Sequence, residues 1–139
     1  MTQGLFKMTH KNIYGGELKY CSRSPNESSV SVGNNLNKIT GYNRTGKCEL
    51  LDNDEGTHIV CAVVTDEFLQ FTLSRGNDLI TPRGSFPGLV KGDIWCLCAL
   101  RWLEAYKANP KYAPPIIGEA THEKFLNYVP KNIVEQYVI

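Results

Sequence analysis

Six consecutive residues, Ile59-Val60-Cys61-Ala62-Val63-Val64, are apolar and mostly β-branched, and this run constrains the chain more than any other feature. Its length suits a strand, and the lack of polar alternation predicts a strand covered on both faces. The next residues say where the chain turns. Thr65 offers a hydroxyl to the unpaired amides of a following helix, Asp66 and Glu67 suit the positive end of its dipole, and Gly76 supplies a left-handed stop. A helix over 66–75 is predicted.

The remaining signals have to supply the two covers. Asp93 is a candidate cap for a helix from Ile94 to about Ala108, because Trp95, Cys98, Ala99, Trp102 and Tyr106 fall at i, i+3, i+4, i+7 spacing, and Pro110 stops it. Ile116-Ile117, after Pro114-Pro115, is a short strand candidate. Thr121 is expected to cap a helix through Phe125, Leu126 and Val129, and a last short helix is expected over 131–137. Residues 22–43 are rich in Ser, Asn and Gly with few apolar positions, which reads as a long mobile loop. The expected architecture is α+β: an extension over 1–15, then one compact domain over 16–139 with a small sheet, three to four helices packed mainly on one face, and long loops.

Net charge is +1, so the chain as a whole lacks the basic footprint that binds a phosphate backbone. Charge is unevenly spread: residues 48–74 hold six acids (Glu49, Asp52, Asp54, Glu55, Asp66, Glu67) and no Lys or Arg, which leaves an acidic face for a protein partner as one reading. No apolar run approaches the roughly 20 residues that span a bilayer, and Met1 to Gly16 has no apolar core of signal-peptide type, so neither membrane nor secretion is expected. A cytosolic setting follows as the expectation. With five cysteines, an odd number, the thiols are expected to be reduced, and the glycosylation sequons at Asn26 and Asn43 to be without consequence.

On the helix read over 94–108, Cys96 and Cys98 point in nearly opposite directions. Cys98 then joins the buried stripe, while Cys96 sits in the first turn, where free amides favour a thiolate and make it the catalytic candidate. His122, at the start of the next helix, is held neutral by the dipole and is the second catalytic candidate. Arg75, Asn77, Asp78 and Arg83 lie in a long connection dense in turn formers, and loops of that length build sites or fold on themselves. They are the ligand-binding candidates, for an anion. A zinc site from Cys48, His58 and Cys61 is the metal alternative, without the support of a C-x-x-C element. Asp52 to Gly56 resembles the start of a calcium loop, but Val63 stands where the closing Glu belongs, and calcium is excluded. No Walker A, G-x-G-x-x-G or G-x-S-x-G motif occurs.

Several ordered stretches carry a family resemblance: Thr40-Gly41-Tyr42-Asn43-Arg44, Gly56 to Val63, Glu67-Phe68-Leu69, Gly76-Asn77-Asp78-Leu79, Phe86-Pro87-Gly88-Leu89, Gly92 to Ala99 with Arg101-Trp102, and Ala120-Thr121-His122-Glu123. Together they resemble a family of small, mostly bacterial proteins catalogued as domain of unknown function 2237, from about Tyr14 to the C-terminus. The resemblance implies a small single-domain protein and brings no activity, cofactor or catalytic residue with it. Two departures stand out: the segment from Asn26 to Lys38 looks inserted, and Lys47 stands where relatives often carry a cysteine beside Cys48. The functional expectation is a small-molecule binding protein or enzyme with a Cys/His pocket for an anionic ligand. The alternatives are a zinc-stabilised structural module and a non-catalytic protein-interaction domain.

Overall fold

The computed structural model describes residues 10–23, 40–41, 45–52, 54 and 56–139. The apolar run becomes strand β1 (His58–Val63), followed by helix α1 (Asp66–Ser74), strand β2 (Ile94–Cys98), helix α2 (Ala99–Ala108) and helix α3 (Lys131–Tyr137). Turns of 3-10 helix occupy Pro110–Tyr112, Gly118–Ala120 and Glu123–Asn127. The fold is α+β, and among the described residues no helix is long and apolar enough to cross a membrane.

β1 and β2 pair antiparallel, with Val60 opposite Leu97, Cys61 opposite Cys96, Ala62 opposite Trp95 and Val63 opposite Ile94. Opposed residues share a face, so Val60, Ala62, Trp95 and Leu97 turn to one side and Cys61, Val63, Ile94 and Cys96 to the other. On its second edge β1 is covered by the segment 115–122: Val63 donates to Pro115, Ile117 donates to Cys61, and His122 donates to Ile59. Both edges of β1 are therefore bonded, and four of its six residues are buried. The register slips between His58 and Val60, where His58 comes to face Cys98. Ile59 is the extra residue, and it packs with Val60 in the helix-side core rather than alternating away from it. A bulge of this kind re-aims the next side chain, so His58 falls on the cysteine face.

The helix-side core gathers around Trp102, which has no exposed surface. Its ring meets Phe125 and Tyr137 edge-on and stacks with Tyr106. The indole N–H donates to the Pro114 carbonyl at 3.0 Å, so the one polar atom of this side chain is satisfied. α1 brings Phe68 and Leu69 to the same core, its first turn capped by the Thr65 hydroxyl, which accepts from Phe68 N at 3.1 Å.

Three expectations are corrected. The segment from Ile94 to Cys98 is extended, and the helix starts only at Ala99; Asp93 caps no helix and instead takes a hydrogen bond from Val90 N. The pairing with β1 outweighs a helical spacing that Trp95, Cys98 and Trp102 satisfy only on paper. The cysteines are not all reduced: Cys21 is bonded to Cys61 and Cys48 to Cys96, leaving Cys98 as the free thiol. Finally, Thr121 caps no helix. Its hydroxyl donates to Ile117 and accepts from Cys61 N, and the turn at Glu123–Asn127 is capped by His122.

Residues 10–15, expected as an extension, are tied into the domain, with Asn12 and Ile13 buried and Ile13 N bonded to Thr121. Most of the loop expected over 22–43 lies outside the described residues.

Candidate functional site

A cavity of about 290 Å³ opens along β2, between that strand, the connection after α1 and the first turn of α2. Leu79, Phe86, Trp95 and Leu97 make its apolar part; His58, Asn77, Arg83, Cys96, Cys98 and Arg101 bring polar or sulfur atoms to it, and Gly41 completes the wall. Among the described residues, the lining contains two guanidinium groups and an imidazole, and no carboxylate.

The connection that supplies Asn77, Leu79, Arg83 and Phe86 is folded on itself. Asp78 Oδ1 accepts from Ile80 N and Thr81 N, and Leu89 donates to Leu79 O. Gly88, with φ of +77°, approaches so closely that a Cβ there would run into the Ile80 carbonyl. Arg83 is braced from behind, donating to Asp78 O at 2.6 Å and Thr81 O at 3.1 Å while its guanidinium lies over the Phe86 ring. Arg101 is braced in the same way, its Nη1 donating to Glu104 and to the carbonyl of Arg75. Each guanidinium also has a carboxylate beside it, Asp78 Oδ2 at 3.5 Å from Arg83 Nη1 and Glu104 Oε1 at 3.2 Å from Arg101 Nη1, and its five donors leave N–H groups beyond these contacts.

Cys98 and His58 line the same cavity. Cys98 is the last residue of β2 and the N-cap of α2, and it makes no capping hydrogen bond, so the helix begins with a half-buried thiol instead of a hydroxyl or carboxylate. His58 is its partner across the strand pair. The ring lies over Gly56, where a Cβ would sit 2.5 Å from Cε1. His58 Nδ1 is 2.7 Å from Oδ1 of Asp54, whose side chain is fully buried and whose second oxygen accepts from the backbone N–H of His58 at 2.9 Å. An ionised carboxylate can only accept, so in this pair Nδ1 carries a proton and donates to Asp54.

Thr57, between these groups, has φ of +48°. For a β-branched residue this costs of order 1–3 kcal/mol and persists only where the surroundings over-determine it. Here they do: Thr57 N donates to Asp54 O, and Thr57 O accepts from both Ile59 N and Ala99 N. The strained carbonyl therefore clips the first amide of α2 to the residue beside His58.

The residues expected from sequence divide. Asn77 and Arg83 line the cavity; Arg75 and Asp78 do not. Arg75 turns to α2, where Nε meets Glu104 at 3.3 Å. The Thr81 amide and hydroxyl, with the Ile80 amide, hold the Asp78 carboxyl below its usual range, as in a residue that ties its own loop. Cys96 lines the cavity, but its sulfur is bonded to Cys48, so it is not the free nucleophile expected. His122 is not brought to it. That side chain is buried on the far edge of β1, with Nδ1 accepting from Lys124 N and Nε2 3.0 Å from His10 Nδ1. Burial first, then the neighbouring His10 and Lys124 charges, push it down to about 4, so the ring is neutral at pH 7.

The zinc trio is not assembled either. Cys48 and Cys61 come close, their sulfurs and that of Cys21 all lying within 4.8 Å of one another, but each is spent in a disulfide and His58 is turned to Asp54. Among its described residues the acidic stretch is divided, with Asp54 buried and Asp66 and Glu67 in the first turn of α1.

Cys98, Asp54 and Arg101 were missed as site residues. For the cysteine the signal was present and misread: two thiols two apart share a face on a strand and separate on a helix. The Asp54 to His58 spacing offered nothing specific, because the tight turn between them depends on Thr57 adopting a conformation its type disfavours. No curated protein matches the chain. A family profile described as "Uncharacterized protein conserved in bacteria (DUF2237)" matches residues 11–138, and the chain belongs to that family.

Proposed function

We propose that the protein binds a small organic anion in the cavity along β2, with its apolar body against Leu79, Phe86 and Trp95 and its charged end between Arg83 and Arg101. One observation carries the reading: a partly apolar cavity whose charged lining, among the described residues, is two guanidiniums and a histidine. Positive groups converging on a low-dielectric wall favour an anion, and guanidiniums suit carboxylate or phosphate oxygens by shape. Size limits the ligand. Liquid water occupies about 30 Å³ per molecule, so the cavity holds the equivalent of about ten waters, which fits a metabolite rather than a polymer.

A cytosolic setting belongs to the same reading. Cys21, Cys48 and Cys61 have no exposed surface and Cys96 almost none, and that burial shields both disulfides from soluble reductants.

The test is thermal melting and calorimetry with a panel of mono- and dicarboxylates, sugar phosphates and their uncharged analogues. At least one anion is expected to raise the midpoint and to bind more weakly to Arg101→Met by about tenfold, with falling affinity as salt rises. Equal response to anions and neutral analogues, or an unchanged affinity in both Arg83→Met and Arg101→Met, removes the proposal.

A further inference from the structure

We infer that Cys98, His58 and Asp54 form a nucleophilic set within this cavity, acting on an activated carbonyl of a small anionic ester or thioester. The inference rests on the anion reading of the same cavity and adds a reaction to it. Three independent features converge. Cys98 is the free thiol, half-buried and facing the cavity, while the other four cysteines are bonded in pairs. The bulge in β1 turns His58 to the face of the sheet that carries Cys98, and the register sets the two opposite each other. Directly opposed residues on one face have Cβ atoms about 4.5–5.5 Å apart, within range for a thiol to meet an imidazole. Behind His58, Asp54 is a fully buried carboxylate with both oxygens committed to that one residue. A nucleophile, a base within reach and a third group orienting the base is the arrangement by which thiols are activated on unrelated folds.

The chemistry balances with water as the second reactant. The Cys98 Sγ bonds to the carbonyl carbon as its proton passes to His58 Nε2, and the alcohol or thiol departs with that proton, leaving an acyl thioester on Cys98. Water then attacks the same carbon, giving one proton to His58 Nε2 and leaving a carboxylic acid, and the proton returns to the sulfur. The Thr57 carbonyl takes the Ala99 amide, so the developing oxyanion is left to the later amides of the first turn of α2, which no Cys98 side-chain bond caps. Arg101, one turn along, holds the remote anionic group. Cys98 and His58 are the catalytic residues. Asp54 is a positioning residue, acting through the tautomer and orientation of His58.

The experiment uses the full chain without reductant, so that both disulfides persist. The mono-p-nitrophenyl ester of a dicarboxylic acid is the substrate probe, and iodoacetate and iodoacetamide are the alkylating probes. Release of p-nitrophenol with an acyl adduct on Cys98 in the intact mass is expected, lost in Cys98→Ser and slowed at least about a hundredfold in His58→Gln. Asp54→Asn is expected to lower kcat while leaving KM unchanged, whereas a merely loosened site would move both. Alkylation of Cys98 should slow in His58→Gln with both reagents. The two readings fail separately. Loss of the preference for iodoacetate over iodoacetamide in Arg101→Met, with no effect of His58→Gln, leaves the anion pocket standing and removes the nucleophilic set. An acyl adduct that depends on His58 but forms equally with a neutral ester removes the anion pocket and keeps the set. No adduct, and a Cys98 that alkylates no faster than a thiol in an unstructured peptide, overturns the inference.

Discussion

The two faces of the β1–β2 pair are held by different physics. On one side Trp102, Phe68, Phe125, Val134 and their neighbours form a packed core fed by all three helices. On the other, a small cluster of Cys21, Cys48, Cys61, Ile94, Cys96 and Ala120 is closed by two disulfides. The contrast follows the sequence. Among the described residues before β1, the buried apolar side chains are only Ile13, Leu18, Cys21 and Cys48, too few to hold that part by burial. Each bridge links a residue of this poor region to a strand, Cys21 to β1 and Cys48 to β2. Covalent links stand in where apolar area is scarce, and the cavity lies at the border of the two regimes, with Cys96 from one and Trp95 from the other in its wall.

The sharpest way to break this comparison is to remove the bridges. They close loops with separations of 40 and 48 residues, for which loop-closure entropy in the unfolded chain gives about 4 kcal/mol each. Cys21→Ala/Cys61→Ala and Cys48→Ala/Cys96→Ala should each lower the unfolding free energy by about 2–5 kcal/mol in urea titrations, with early hydrogen exchange in residues 10–22 and 45–52. A loss under about 1 kcal/mol in both would mean that packing, not covalency, holds the cysteine side.

Next in size is an effect of pH at the edge of that side. His122 titrates at about 4 when folded and near 6.5 when unfolded, so between those values the unfolded chain binds more protons. Its contribution is present above about pH 6.5 and is lost as pH falls toward 4. The drop from pH 7 to pH 4.5 should be roughly 2–3 kcal/mol, since His122 is 5% exposed and little screened. Urea midpoints at the two pH values measure it, and His122→Gln should flatten the difference. An equal pH drop in that variant would transfer the effect to other groups.

The helix-side regime was largely legible and the cysteine side was not, for reasons of range. The apolar run at 59–64 and the Thr65 cap act within a few residues, and β1 and α1 stand close to where those signals put them. Trp95, Cys98, Trp102 and Tyr106 meet a helical spacing and Ile94 to Cys98 is also strand length, so local pattern leaves both readings open. What decides is β1, more than thirty residues away, which accepts Trp95 and Leu97 on its apolar face. Disulfide partners depend on that register, and a chain read with Cys96 on a helix gives no sign of its pairing with Cys48. The site inherits the same difficulty. His58 and Cys98 become partners in the register through a one-residue slip at Ile59, and nothing in the side chains of His58 or Ile59 announces it.

The smallest predicted effect sharpens the comparison by touching the packed side alone. Thr65→Ala removes the oxygen that accepts from Phe68 N at 3.1 Å and exposes one first-turn amide of α1 to water, while Asp66 and Glu67 still serve the helix dipole. A cap of this kind is worth about 1 kcal/mol, and Thr65→Ser should retain most of it. Because α1 packs on α2 and the turn at Pro110–Tyr112, and meets the cavity at its C-terminal end, where Arg75 O accepts from Arg101 and Asn77 joins the wall, at the other end from Thr65, the disulfides and the alkylation rate of Cys98 should not change. The measurement pairs a urea titration with timed alkylation in both variants. A Cys98 rate that moves with the cap would show that the two faces of the sheet are one cooperative unit, and that the division into a packed side and a bridged side describes composition without describing mechanics.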